Sequence, residues 1–391
     1  MPPIPIRDAD ELRKIGQDSA FPRHGDFLLM KDISLTEPWT PLPAADDIIL
    51  DGNGFCIGPL TAPLFEQINH SSVFDLKLDA CIDVRTMDET GALMACGTNN
   101  ALSDCIVRGR LHGEGALGGL AGRLNSCIVE GCFGEAVLTG TGATGGLVGV
   151  AQATRFLKCE HHGSVRTTEG EAGGMTARLE GGTIVDCINE GVVCGGSYVG
   201  GMAGIVIGET QLVDNEGRGT EAISGTGNCV GGIVGAIQGD AEIRENRVCT
   251  CVNCEGVMAG GIVGGILADT EGKPQIVENI VGGRSILAVQ SAHRILGGVA
   301  QGAAVTLSGN FAAPMTRPIP IPNDEEVGAD RLHGANIDCL GAGCTDCELC
   351  PPWEHYVPGV GCVAQQEQHM SDGEMDRVLQ ETVASLVLPA E

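Results

Sequence analysis

The densest group of residues able to do chemistry lies near the C-terminal end of the sequence. It reads Cys339-x4-Cys344-x2-Cys347-x2-Cys350, then Cys362, with Pro351-Pro352-Trp353 between them. Cys339, Cys344 and Cys347 imitate the plant-type iron–sulfur spacing C-x4-C-x2-C. Four thiolates also suit tetrahedral zinc. A small disulfide knot of a secreted protein is the third reading and the preferred one. Five is an odd number, so one thiol stays free or pairs with a distant cysteine such as Cys254.

The other candidates are weaker. Cys249-Thr250-Cys251-Val252-Asn253-Cys254 contains one C-x2-C, which in a strand reads as packing. Cys159-Glu160-His161-His162 holds metal-ligand residue types, but successive side chains on a strand point to opposite faces, so the two histidines are not expected to converge. The carboxylates Asp186, Glu190, Glu216, Asp240, Glu242 and Glu245 are scattered along the chain. A β-helix polysaccharide hydrolase or lyase needs clustered acids and aromatic platforms for sugar rings. No catalytic, cofactor-binding or metal-binding residue is assigned, no cofactor is implied, and the reading leans away from an enzyme.

What must position any such residue is a repeating phrase. Gly-Gly, an aliphatic residue and small residues recur at Gly118-Gly119-Leu120, Gly145-Gly146-Leu147, Gly173-Gly174-Met175, Gly200-Gly201-Met202, Gly231-Gly232-Ile233, Gly260-Gly261-Ile262 and Gly297-Gly298-Val299, with a weaker copy at Gly91-Ala92-Leu93. The aliphatic residues step by 27, 27, 28 and 27 residues from Leu93 to Met202, then by 31, 29 and 37 to Val299. A second phrase rides between them, with Cys105, Cys127, Cys159 and Cys187, then Asn215, Asn246, Asn279 and Asn310. Periods of this size mean a stacked fold. Short apolar runs cut by Gly, Asn, Asp and Thr read as strands and tight turns, and the sequence's 60 glycines argue against helical repeats. The fold class predicted is all-β: a right-handed parallel β-helix (β-solenoid) of about eight coils. Glycine enters positive φ freely, so the phrase is expected to mark corners. The Cys and Asn positions are expected to stack as an inward ladder, the cysteines as free thiols whose parallel side chains suit a disulfide poorly.

The sequence divides into five parts. Residues 1–90 read as an N-terminal capping region, with a short helix from Asp8 to Gly16 and concentrated aromatics (Phe21, Phe27, Trp39, Phe55, Phe65, Phe74). Residues 91–312 are the solenoid repeats. Residues 313–338, with Pro314, Pro318, Pro320 and Pro322, read as the end of the rod and a linker. Residues 339–363 are the Cys-rich module, and 371–388 form an amphipathic C-terminal helix with Met375, Val378, Leu379, Thr382, Val383, Leu386 and Val387 on one face. Longer steps after Met202 predict inserted loops near 206–226 and 266–295, where binding is expected.

The net charge of −28 argues against nucleic acid, which needs Lys and Arg on phosphate, and against anionic membrane surfaces. Met1-Pro2-Pro3-Ile4-Pro5-Ile6 has no secretory apolar core, and no stretch reaches 18 apolar residues, so membrane insertion is not expected. A trimmed chain is the preferred explanation for the missing signal.

Gly145-Gly146-Leu147-Val148-Gly149, alternating with Asp186-Cys187-Ile188-Asn189-Glu190-Gly191, resembles the GLUG repeat of bacterial adhesin-like surface proteins. The region before it resembles the segment that often precedes those repeats, at Ala9-Asp10-Glu11-Leu12-Arg13-Lys14-Ile15-Gly16, Asp32-Ile33-Ser34-Leu35, Trp39-Thr40-Pro41-Leu42 and Leu50-Asp51-Gly52-Asn53-Gly54. Together the two cover about residues 6–312. The resemblance implies a non-enzymatic extracellular or cell-surface module for adhesion or binding, with a host or cell-surface protein or glycan as partner. The alternative is a β-helix polysaccharide lyase or hydrolase, phage-associated.

Overall fold

The computed structural model describes residues 2–336, apart from 220, 269, 271, 283–284, 314–315 and 321–326, together with the backbone of 354–357 and 361–364. The chain forms two units, residues 1–337 and 338–391. The first is a parallel β-solenoid of about ten turns with one short helix among its described residues. In the second, Glu354–Val357 and Gly361–Ala364 form an antiparallel pair in which Tyr356 faces Cys362 in register. Cys339, Cys344, Cys347, Cys350 and the helix expected at 371–388 lie outside the described residues.

One coil illustrates the path. Thr176–Val185 runs in the first sheet, Ile188–Asn189 and Val192–Gly195 in the second, and Tyr198–Gly200 in the third. Ala203–Val213 then opens the next coil beside Thr176–Val185. Inward residues stack on their equivalents. One such column is Leu102, Val129, Phe156, Ile184, Leu212, Ile243 and Ile276, all buried. Rungs inside the stack share their backbone hydrogen bonds with the coils above and below, while terminal strands such as Ile4–Ile6 pair on one side.

The Gly-Gly corners are glycine for a reason other than the one expected from sequence. None of Gly174, Gly201 and Gly232 has positive φ. A Cβ on Gly201 would instead lie 2.1 Å from the Gly232 carbonyl oxygen of the next coil. Close stacking excludes a side chain there. Positive φ falls at another corner, just before the ladder, at Asp104, Gly131, Lys158, Asp186, Asp214, Glu245, Glu278 and Gly309.

That corner corrects the ladder. Its members are Cys105, Cys132, Cys159 and Cys187, continuing as Asn215, Asn246, Asn279 and Asn310, all buried. Cys132, rather than Cys127, holds the second place, because each member follows a positive-φ residue at a step of 27 or 28 in this part of the chain. Cys127 belongs to a separate column. There the Ser71 amide donates to Asn100 Oδ1 (3.0 Å), the Asn100 amide to Cys127 Sγ (3.3 Å) and the Cys127 amide to Thr154 Oγ1 (3.4 Å). In the main ladder the Cys187 amide donates to Asn215 Oδ1 (3.0 Å). Asn215 Nδ2 donates to Asn246 Oδ1 (2.9 Å), Asn246 Nδ2 to Asn279 Oδ1 (3.0 Å) and Asn279 Nδ2 to Asn310 Oδ1 (3.0 Å). The buried amides are thereby satisfied. Apart from Cys249, the cysteines from Cys56 to Cys254 are free thiols.

The coiling starts before residue 90 and runs past residue 312. Ile4–Ile6 pairs with Gly25–Leu29, which pairs with Ile48–Asp51. The helix α1 (Ala9–Arg13) is capped by Asp8 and buries Leu12. At the other end Arg317–Ile319 pairs with Ser285–Leu287, and Ala335–Asn336 with Phe311–Ala312. The stretch 313–338 is therefore not only a linker. Pro318 fits because its strand is the last in its row among the described residues, where a missing N–H costs no ladder bond.

The last glycine phrase is also out of register. His293 pairs with Gly260, and Gly297 occupies the place of Gly264, so the corner of this coil is His293-Arg294-Ile295. The true last step is 33 residues, from Ile262 to Ile295. Among the described residues no further Gly-Gly corner stacks above it. Leu332 covers the corner instead, accepting from the Ile295 and Leu296 amides, and the buried Arg294 donates to the Ala313 and Gly334 carbonyls and to Asn336. The longer steps after Met202 come mainly from short additions around 218–222 and 267–274, between otherwise equivalent strands.

Candidate functional site

The second sheet carries the most structured charge on the molecule. In Lys77–Val84 and Ile106–Gly113 alternate residues are buried, which turns Asp79, Cys81 and Asp83, and beside them Arg108, Arg110 and His112, outward. Stacking then sets outward side chains in rows along the solenoid, one residue per coil.

One row alternates carboxylates with nitrogen-bearing side chains: Asp79, Arg108, Glu135, His162, Glu190 and Arg218. Its neighbours pair across coils. Arg108 binds Glu135, His162 Nδ1 lies 3.1 Å from Glu190, and Arg218 Nε lies 2.8 Å from the other Glu190 oxygen. The adjoining row adds to it. Glu160 lies 2.9 Å from His162 Nε2, Arg218 reaches Glu216 at 3.4 Å, Arg247 reaches Glu216 at 3.6 Å, and Phe133 stacks on His162 at 4.5 Å. These contacts tie the charged groups to one another across coils and brace the face.

Beside this row lies an open groove of 360 Å³, lined by Cys81, Asp83, Arg85, Arg110, His112, Val137 and Thr139 among others. Arg85 makes two side-chain contacts to Asp83 (3.3 and 3.2 Å), and these hydrogen bonds hold the Asp83 carboxyl below its ordinary range. Asp83 is thus engaged. Arg110 stands between Cys81 and Val137 in register and makes no ion pair among the described residues. Two coils on, Arg166 lies beside Thr139, with Cys194 Sγ at 3.6 Å from its guanidinium and no carboxylate partner among the described residues. Arg23, Arg155 and Arg331 are likewise exposed without ion pairs among the described residues, but Arg110 and Arg166 are the pair that stand near each other on one sheet.

Of the candidates read from sequence, His162, Glu190 and Glu216 come together in the charged rows, whereas His161 and His162 are separated. Strand alternation sends His161 inward and His162 outward. His161 is fully buried, with Nδ1 2.7 Å from Asn189 Oδ1 and Nε2 without a partner among the described residues. Burial lowers its pKa to about 4. Cys159 sits in the ladder. Cys249 and Cys251 are half-buried, while Cys254 is buried and donates to the Gly227 carbonyl. The ladder thiols have no cation against them, and burial raises Cys187 well above the ordinary thiol range. Among the described residues no group of three His, Cys, Asp or Glu is placed to hold a metal ion. Arg110, His112 and Arg166 were not singled out from sequence. Their signal is an outward position counted from coil to coil, 81, 110, 137, 164 and 192 for Arg110 and 83, 112, 139, 166 and 194 for His112 and Arg166.

No family model matches the chain, and no curated protein does. Among solved structures it is similar to a protein described as IgA1 protease, at TM-score 0.45 and 16% identity, over 80% of this chain and 21% of that one. It is also similar to a protein from Bacteroides ovatus proposed to be an immunoglobulin A1 protease, at TM-score 0.34 and 15% identity, over 94% and 93% of the two chains. The chain thus spans about a fifth of the first of these. No described helix is long and apolar enough to cross a membrane.

Proposed function

We propose that this solenoid is a non-enzymatic binding module of the cell surface or extracellular space, with the outer face of its second sheet as the binding face. The observation that carries the reading is the contrast on that face. One row of charged groups is tied up in ion pairs, while Arg110 in the adjoining groove and Arg166, next to the groove's Thr139, have no carboxylate partners among the described residues. A rigid stack of coils holds such side chains at fixed spacing, which lowers the ordering cost of binding. The partner is a protein or glycan of a host or cell surface.

The test is retention of the fluorescently labelled chain on cell surfaces, compared with the Arg110→Glu/Arg166→Glu variant. Retention by the wild type and its loss in the variant support the reading. Equal retention by both overturns the assignment of the face. Specific turnover of a polysaccharide in a degradation screen would replace the binding module with a β-helix lyase or hydrolase.

A further inference from the structure

The shape and charge of the groove narrow the ligand. Arg110 and Arg166 sit two coils apart, roughly 9.6 Å along the solenoid axis, and about 7 Å apart across it. Between them lie Val137, 43% exposed, and Thr139, so the ground between the two cations is apolar and hydroxylated. His112 flanks Thr139 in register. A ligand that meets both guanidiniums must carry two anionic groups separated by a neutral, hydroxyl-bearing body.

The sheet itself argues against an extended peptide. Ile106–Gly113 is paired on one side with Lys77–Val84 and on the other with Phe133–Gly134 and Val137–Gly140. No backbone edge is open there, so a peptide could not add as a strand, and recognition falls to side chains alone. The groove volume of 360 Å³ is within the range of small-ligand sites. We propose that this groove, continued past Thr139 to Arg166 on the next coil, binds an acidic oligosaccharide laid along the solenoid axis, its uronate carboxylates taken by Arg110 and Arg166. The proposal rests on the binding-module reading and names the ligand class of that same face. Planar guanidiniums suit carboxylates, which they bind through paired N–H donors. No aromatic side chain lines the groove, so charge-assisted hydrogen bonds carry the affinity and salt weakens it.

The experiment is calorimetric titration of the full chain at low salt with a hyaluronan hexasaccharide, which carries one carboxylate per disaccharide. A neutral chitin hexasaccharide and a hexaglutamate peptide serve as comparison ligands. The expected result is saturable binding of the hyaluronan fragment, loss of that binding at high salt and no binding of the neutral sugar. Arg110→Gln and Arg166→Gln should each weaken it by about tenfold. Arg218→Gln, in the ion-paired row, should leave it unchanged. Absence of binding, equal binding by the Arg110→Gln/Arg166→Gln variant, or equal affinity for hexaglutamate would each overturn the proposal. Cell retention that persists and depends on both arginines while hyaluronan fails would overturn the ligand class and leave the binding face standing.

Discussion

His161 should make the solenoid sensitive to acid in a way that can be isolated. The imidazole is fully buried, and its Nδ1 faces Asn189 Oδ1 at 2.7 Å. Burial lowers its pKa from 6.5 to about 4. An unfolded chain binds this proton near pH 6.5, whereas the folded chain refuses it until about pH 4. The stabilising contribution is therefore complete above pH 6.5 and is lost as the pH falls from there through 4. At ~1.36 kcal/mol per unit, the full span is worth about 3.4 kcal/mol. The comparison protein is His161→Val. Valine is suited because Val248 and Val281 occupy the same inward row further along the stack. Removing the ring also removes the partner of Asn189, a cost that does not vary between pH 7 and pH 4. The informative quantity is hence the change of stability with pH in each protein. Urea unfolding at pH 7, 5.5 and 4 should show the wild type losing about 3 kcal/mol more than the variant over that range. Carbon-13 NMR of labelled histidine should show one imidazole titrating near pH 4. Superimposable pH dependences, or an His161 titration near 6.5, would refute the argument.

Three further outcomes follow from the stacking. Asn246→Ala strips the acceptor from the Asn215 amide and side chain and should cost about 2–4 kcal/mol in denaturant unfolding, with Asn246→Cys less harmful because thiols fill the same ladder at Cys159 and Cys187. Gly201→Ala puts a Cβ 2.1 Å from the Gly232 carbonyl and should cost about 3 kcal/mol, whereas Gly208→Asn meets nothing within 4 Å and should be tolerated despite its positive φ; equal midpoints for the two would count against the close-stacking account. In the native protein, mass-spectrometric mapping after mild alkylation should find Cys81 modified well before Cys105, Cys132, Cys159 and Cys187, and simultaneous modification would contradict a sealed ladder.

The sequence carried the repeat clearly because stacking demands the same residue types at the same places in every coil. Leu120, Leu147, Met175 and Met202 are each fully buried, and the Asn series Asn215 to Asn310 is hydrogen-bonded as a ladder. The errors came where two corners look alike in one dimension. Cys127 and Cys132 both follow a positive-φ residue, and only strand pairing separates their columns. Gly297-Gly298 matched the phrase by composition, although His293-Arg294 holds the corner. The coils before residue 90 lack the glycine phrase. There Phe27, Leu50 and Val73 carry the inward column.

By itself the sequence determined that the chain is a parallel solenoid, since periodic glycine, aliphatic and Cys or Asn positions are what repeated coils require. It also determined which residues face inward through most of the repeats. Tertiary structure decided why the corners are glycine, because the next coil's carbonyl oxygen comes from about thirty residues away. It decided as well which charged groups pair across coils. Asp79, Arg108, Glu135, His162, Glu190 and Arg218 are spread over 140 residues and become neighbours only when the coils stack. Arg110 and Arg166 differ from them only in which row they join, and a row exists only across coils.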